Sequence, residues 1–220
     1  MRKLTGAVFV SLDGVMQAPG GPEEDPTGEF RHGGWVQPLF DEDMGPFEDV
    51  IMGDYDLLLG KRTYDIFASY WPYNQDNPIG AKFQAIDKYV LTHSGEPLAW
   101  ENSHRLTGET ADAVASLKAS EGRDLLIQGS STLYPPLLSA RLIDRLVLMI
   151  FPVVLGNGKS IFDGPIKPGA LKLAESFVSK TGVVIAAYEP AGDVKTGTFE
   201  TKQPSNEELE RREQMAEGRW

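Results

Sequence analysis

The chain has no cysteine, which excludes disulfides, thiolate nucleophiles and Cys-ligated zinc or iron–sulfur centres. Its three histidines, His32, His93 and His104, lie far apart without ligand spacing, so no metal site is expected. No run approaches the roughly 20 apolar residues of a membrane-spanning helix. The N-terminus, Met1-Arg2-Lys3-Leu4, enters a strand pattern at once rather than the apolar core of a secretion signal. A soluble, cytoplasmic protein with no membrane partner is therefore expected. Positive charge is scarce: 21 Lys and Arg against 32 Asp and Glu leave a net charge of −11. That balance repels the phosphates of nucleic acid at long range, yet a local pair of cations can still hold one phosphorylated cofactor. The dinucleotide fingerprint GxGxxG is absent, which disfavours an ordinary Rossmann domain.

What is present is an ordinary globular composition, 41% hydrophobic and 24% charged, with a recurring strand–turn–helix plan. Leu57-Leu58-Leu59-Gly60-Lys61-Arg62-Thr63-Tyr64 is an apolar run that ends in a glycine, two cations and a threonine opening a helical pattern. This sequence predicts a strand feeding a helix N-terminus, where free backbone N–H groups can hold an anion. Leu125-Leu126-Ile127-Gln128-Gly129-Ser130-Ser131-Thr132 repeats the plan with a neutral turn. Two such turns in one small domain suggest a ligand with more than one phosphate, read here as NADPH. Two cations at a helix start oppose the helix dipole and call for a negative partner. Asp65 is one candidate and a bound phosphate the other. Thr92 and His93 end a neighbouring strand and suit a ribose phosphate, while Gly129 to Thr132 suit a pyrophosphate.

The rest of the chain supplies the frame. Strands are predicted at residues 3–10 and 88–92, and in the run from Leu142 to Leu155, the most apolar of the chain, as a central strand. Helices are predicted from Pro46 to Met52 and after Gly60. A helical turn is expected at Gly80–Ile86. A further helix is expected from Thr110 to Glu121, with Ala111, Val114, Ala115 and Leu117 inward and Gly122 as its stop, and another up to Ala140. Residues 171–179 and 183–188 form a hairpin around Lys180-Thr181-Gly182. The order predicts an α/β fold: a mostly parallel central sheet, flanking helices and a C-terminal antiparallel hairpin. Residues 17–43 carry seven acidic residues, four prolines and five glycines without periodicity. They are read either as a loop folding over a site or as a surface insertion. From Pro190 the chain changes character. Ser205 and Glu208 form a capping box, and Glu207–Arg211 and Glu208–Arg212 are favourable i,i+4 pairs. The expected division is one α/β domain over 1–190 and a charged tail helix in 191–220, solvated or docked on a partner subunit.

Four motifs together resemble the dihydrofolate reductase-like superfamily: Val10-Ser11-Leu12-Asp13-Gly14, Leu58 to Tyr64, Gln128 to Leu133, and Pro152-Val153-Val154-Leu155-Gly156-Asn157-Gly158. The nearest branch is similar to the C-terminal reductase domain of the riboflavin-biosynthesis deaminase–reductase, here without a zinc deaminase domain. The resemblance implies NADPH as cofactor, a homodimer, and hydride transfer to a small heterocycle of pterin or pyrimidine type. It also implies Lys61 and Arg62 at the 2′-phosphate with Thr92 and His93 assisting, and Thr63 and Gly129 to Thr132 at the pyrophosphate. Ser11 to Gly14 would border the nicotinamide. The pterin-binding carboxylate of dihydrofolate reductases aligns near Asp43 or Met44, beside Asp41 and Glu42, without a decisive match. Asp13 is the first candidate for handling a proton, and a turn aspartate satisfying local N–H groups is the other reading. Asp43 is the second catalytic candidate; Asp41 and Ser11 are candidate substrate contacts. Trp35 either covers a flat ring or anchors its loop, and Trp71 reads as core. A non-catalytic NADP(H)-binding module of the same fold is the alternative function.

Overall fold

The computed structural model describes residues 1–41, 43, 45–199 and 203–219. Glu42, Met44 and Trp220 lie outside the described residues. Eight strands form one sheet: β1 (Leu4–Ser11), β2 (Tyr55–Gly60), β3 (Lys88–Leu91), β4 (Ser103–Leu106), β5 (Asp124–Gln128), β6 (Arg145–Phe151), β7 (Leu171–Val178) and β8 (Val184–Pro190). Their order is β4-β3-β2-β5-β1-β6-β8-β7. The first six are parallel to their neighbours, and β8 and β7 close the edge antiparallel. The sheet and its hairpin match the architecture expected from the chain.

Both faces are apolar because successive side chains of each strand point to opposite sides and both sides are covered. On one face α1 (Pro46–Met52), α2 (Lys61–Tyr70) and α3 (Pro78–Ala85) bring Phe47, Ile51, Tyr64 and Phe83 against Ala7, Leu57, Leu59 and Val147. On the other, α4 (Thr110–Ala119) and α5 (Tyr134–Ser139) pack Val114, Leu117, Tyr134 and Leu137 against Leu4, Val8, Leu58 and Ile127. Below the strand starts, a buried ion pair joins Arg2 to Asp56 at 2.6 Å. Asp144 accepts the Leu4 N–H at 2.7 Å and the Lys118 ammonium at 2.5 Å. These ties fix the N-terminal edge of the sheet, so the carboxyl ends of β1, β2 and β5 open together at the other edge.

Several expectations shift. The apolar run from Leu142 is a strand only over Arg145–Phe151, and it lies sixth of eight rather than at the centre, which β5 and β1 occupy. The chain bends at Asp144, whose N–H donates to the Leu4 carbonyl at 2.8 Å where the strand begins, and Pro152 ends its ladder. Helix α4 stops at Ala119, before Gly122, and Ala115 faces solvent. Helix α3 starts two residues before Gly80, because the Asn77 side chain caps it through the Ile79 N–H at 2.9 Å and Pro78 takes the first helical position. Strand β4 was not anticipated: Ser-His-Arg-Leu has no alternation, and as an edge strand it pairs only with β3. The tail helix α6 (Asn206–Ala216) is present, with Ser205 capping the Glu208 N–H at 3.3 Å and no buried residue among those described. No helix among the described residues is long and apolar enough to cross a membrane.

Candidate active site

Three parallel neighbours, β2, β5 and β1, end at one edge of the sheet. A cleft of about 810 Å³ opens there. Its floor is the outer half of β1, Ala7 to Phe9. One wall is the start and exposed flank of α2, from Gly60 to Trp71, and the second is the turn Gln128 to Thr132. The third is the loop after β1, from Met16 to Phe40, joined by Lys159. This is where ligands bind in open α/β sheets, beyond the carboxyl ends of the strands where the strand order reverses. The loop over residues 17–43 therefore borders the site, with short 3₁₀ turns at Thr27–Glu29 and Gln37–Leu39.

The two turns read from the sequence are locked together. Thr63 Oγ1 accepts the Ser130 N–H at 2.9 Å, and Ser130 Oγ accepts the Gly60 N–H at 2.9 Å. The hydroxyls of Thr63 and Ser130 thus shape the cradle. Gly129 (φ 70°) and Ser130 (φ 59°) are both left-handed, and a Cβ at 129 would sit 2.9 Å from the Thr63 methyl. Only glycine meets both demands there. Helix α2 has no side-chain cap and no acid in its first turn, so its leading N–H groups line the cleft without a side-chain acceptor among the described residues. The turn at Ser131–Leu133 likewise has no side-chain cap.

The two cations differ. Lys61 is held by Asp65 at 2.8 Å and by Glu96 at 3.5 Å, and the Asp65 hydrogen bond raises its pKa. Asp65 is therefore the negative partner of Lys61. Arg62 is exposed and makes no ion pair or hydrogen bond among the described residues. Gln128 contributes a buried side-chain oxygen, Oε1, with no hydrogen-bond partner, on a residue that lines the cleft. Phe40, Phe67, Tyr70 and Trp71 add aromatic surface. Trp71, read as core, packs on Phe67 and Phe83 and also lines the cleft.

Other candidates have different places. Thr92 is buried at the end of β3, outside the cleft wall, where its hydroxyl accepts the Ser94 N–H at 3.0 Å. His93 is exposed and also outside the wall. The loop after them is held by Arg105, which donates to the Ser94 and Glu96 carbonyls. Asp13 does not line the cleft; its carboxylate accepts the Ser11 hydroxyl at 2.5 Å and the N–H groups of Leu155 (3.1 Å) and Gly156 (2.7 Å). The Ser11 hydrogen bond above all, with those N–H groups and against the opposing effect of burial, lowers its pKa to about 2. It is a turn aspartate that ties the exit of β1 to the segment after β6. Ser11 is buried within the same knot, its Oγ accepting the Val15 N–H at 2.9 Å. Asp41 accepts the Asp43 and Lys180 N–H groups at 3.3 and 3.1 Å, and Asp43 the Gly45 N–H at 3.2 Å. Both lie away from the cleft wall. Trp35 anchors the loop: its indole donates to the Gln17 carbonyl at 2.8 Å and its ring meets Phe151 edge-on at 5.3 Å.

The sequence reading missed a polar knot at the loop wall. Gln17 donates to the Asp25 and Thr27 carbonyls (2.9 and 2.8 Å) and accepts the Lys159 N–H at 2.9 Å. Lys159 Nζ reaches the Asp25 carboxylate and Thr27 Oγ1 (2.7 Å). Burial works against ionised Asp25, but Lys159 and Thr27 outweigh it and lower its pKa. Glu24 lies beside the knot with its pKa raised by burial. The acidity of the loop was visible in the sequence; its partner 134 residues away was not.

Comparison with known proteins agrees with this architecture. The chain is 26% identical over 191 residues to the uncharacterized protein YyaP of Bacillus subtilis, covering 85% of this chain and 94% of that one. A putative riboflavin biosynthesis protein from Shewanella sp. PV-4 superposes with a TM-score of 0.64 at 20% identity, covering 87% of this chain and 99% of that one. Dihydrofolate reductase from Enterococcus faecalis, complexed with NADP(H), gives 0.51 at 15% identity, with 86% and 96% covered. These likenesses show a dihydrofolate reductase-like fold. Residues 2–185 match the RibD C-terminal domain, and the chain belongs to that family.

Proposed function

We propose that this chain is an NADPH-dependent reductase of a small, flat heterocycle of pterin or pyrimidine type. The observation that carries the reading is the meeting, in one cleft, of two open helix-start turns with the guanidinium of Arg62, unpaired among the described residues, beside the first. Such turns hold phosphates through backbone N–H groups and helix dipole, and a fork of guanidinium donors matches a phosphate monoester. The NADP(H) complex of the E. faecalis neighbour supports the choice of cofactor.

The residues fit that group. Arg62 would meet the 2′-phosphate, with Lys61 adding field from its pair with Asp65. The first turns of α2 and of Ser131–Leu133 would hold the pyrophosphate. The unpartnered Gln128 oxygen would accept an N–H from the carboxamide or the heterocycle. Bound NADPH supplies the hydride, so no protein nucleophile is needed. The chain's part is to orient and to exclude water. Ala7 to Phe9 give an apolar floor, and Phe40, Phe67 and Trp71 give flat aromatic surface for a ring.

We further infer a homodimer, supported by the exposed β7 edge, where Leu171, Leu173 and Val178 face solvent; sedimentation at graded concentration tests it. For the reaction, the test is NADPH oxidation with a panel of pterins, aminopyrimidines and quinones. Turnover with one heterocycle, faster with NADPH than NADH, is expected. Tight NADPH binding without oxidation on any member would make the chain a non-catalytic NADP(H)-binding module instead.

A further inference from the structure

Reduction of a C=N or C=O bond needs a proton as well as a hydride, and neither acid singled out from the sequence faces the cleft. The ionisable side chains that line it are Glu24, Asp25, Lys61, Arg62, Tyr70 and Lys159. Five of them have other tasks. Asp25 and Lys159 neutralise each other, Lys61 is paired with Asp65, and Arg62 is the guanidinium assigned above to the 2′-phosphate. Tyr70 is 55% exposed on the α2 flank, its ring packed edge-on against Trp71 at 5.0 Å.

Glu24 is different. It makes no ion pair among the described residues. Its carboxyl is turned back onto its own loop, where Oε2 accepts the Gly20 N–H at 2.6 Å while its own N–H donates to the Gly21 carbonyl at 3.2 Å. Gly20 lines the cleft with it. The loop is not free to drift. The Trp35 indole and the Gly34 N–H hold the Gln17 and Ala18 carbonyls. The Lys159–Asp25–Thr27–Gln17 knot fastens the far side, and Met16 N–H donates to the Lys159 carbonyl at 2.9 Å. The Glu24 carboxyl is thus held at a fixed place in the loop wall of the cleft.

We propose that Glu24 is the catalytic acid of this site, and that Gln17, Asp25, Thr27 and Lys159 are positioning residues that hold its loop at the cleft. The proposal rests on the reductase reading above. Bound NADPH would supply the hydride to the carbon of a C=N or C=O bond. The π electrons of that bond take the Glu24 carboxyl proton onto nitrogen or oxygen. The products are NADP⁺, the reduced heterocycle and Glu24 carboxylate, which regains a proton from solvent. Burial, opposed by the Gly20 and Gly21 N–H groups and helped by the Asp25 charge, raises the Glu24 pKa in the direction an acid needs. The charges facing it are Asp25 on its own loop, Lys159 after β6, and Lys61 and Arg62 across the cleft.

The test compares wild type with Glu24→Gln, whose amide oxygen can still accept the Gly20 N–H. The measurements are the NADPH dissociation constant and the pH profile of kcat with the best heterocycle of the panel. The expected result is unchanged NADPH affinity and a kcat about 10²- to 10⁴-fold lower. In addition, the wild-type fall in kcat above the Glu24 pKa should be missing from the variant. Glu24→Asp should recover part of the rate and restore the pH dependence. Full turnover in Glu24→Gln with an unaltered profile overturns the acid and leaves the reductase reading standing. Absence of turnover in wild type across the panel overturns both. Loss of NADPH affinity in Glu24→Gln would show a role in binding and overturn the assignment as acid.

Discussion

The hydrogen bond from Ser130 N–H to Thr63 Oγ1 is the smallest change that tests whether the two turns act as one cradle. Thr63→Ser keeps the acceptor and removes one methyl from a half-buried site, a loss of less than about 0.8 kcal/mol. Thr63→Ala removes the acceptor as well. Ser130 is only 7% exposed and left-handed, so its N–H has no ready alternative partner. Leaving it unsatisfied should cost about 1–3 kcal/mol beyond the serine variant. If the bound nucleotide must restore the turn, the same energy weakens NADPH binding by about 5- to 150-fold. Urea unfolding reads the first effect and isothermal titration with NADPH the second. Equal stability and affinity for the serine and alanine variants would refute the idea that this hydrogen bond organises the site.

Other regions give independent predictions. Arg2→Ala leaves the buried Asp56 carboxylate with only the half-exposed Arg123 at 3.3 Å as its cation, and should cost up to about 3–5 kcal/mol in urea unfolding. Arg2→Met with Asp56→Leu should recover much of that loss. Asp13 has a folded-state pKa lowered from 3.8 to about 2, so its stabilisation is complete above pH 3.8 and disappears as pH falls towards 2. The stability gap between wild type and Asp13→Asn should therefore narrow over that window, and a gap that stays constant would contradict the turn role. Deleting the chain from residue 194 onward, past the Ala170–Gly192 backbone hydrogen bond, should leave NADPH affinity unchanged in titration.

Much of the fold was legible because it is local. The runs ending at Gly60 and Gln128 are apolar, β-prone and stopped by turn chemistry, and both became strands that open the cleft. The hairpin β7–β8 was readable from alternation around Gly182. Strand β4 was not, because an edge strand of Ser, His, Arg and Leu has no pattern to read. Within the site, the turns at Gly60 and Gly129 were legible for the same local reason, whereas Asp13, Asp41 and Asp43 lie away from the cleft wall and Glu24, Asp25 and Lys159 line it. Asp13-Gly14 after a strand looks alike whether the carboxylate faces a cleft or caps N–H groups 142 and 143 residues away. Thr92 and Trp35 illustrate the same limit, since a hydroxyl or an indole does not announce which carbonyl or N–H it will meet. The knot of Gln17, Asp25 and Lys159 exists only once the segment after β6 folds back on the loop after β1, joined by the Val15–Ser160 bridge.

Titration of the wild-type protein and Arg62→Ala with NADPH and NADH, side by side, bears most directly on the cleft as a cofactor site. Wild type should bind NADPH at least about tenfold more tightly than NADH, the equivalent of 1.4 kcal/mol for one charge-assisted phosphate contact. Arg62→Ala should erase that preference while leaving NADH affinity as it was. Equal affinity of the wild type for the two nucleotides, or no binding of either, would contradict the account.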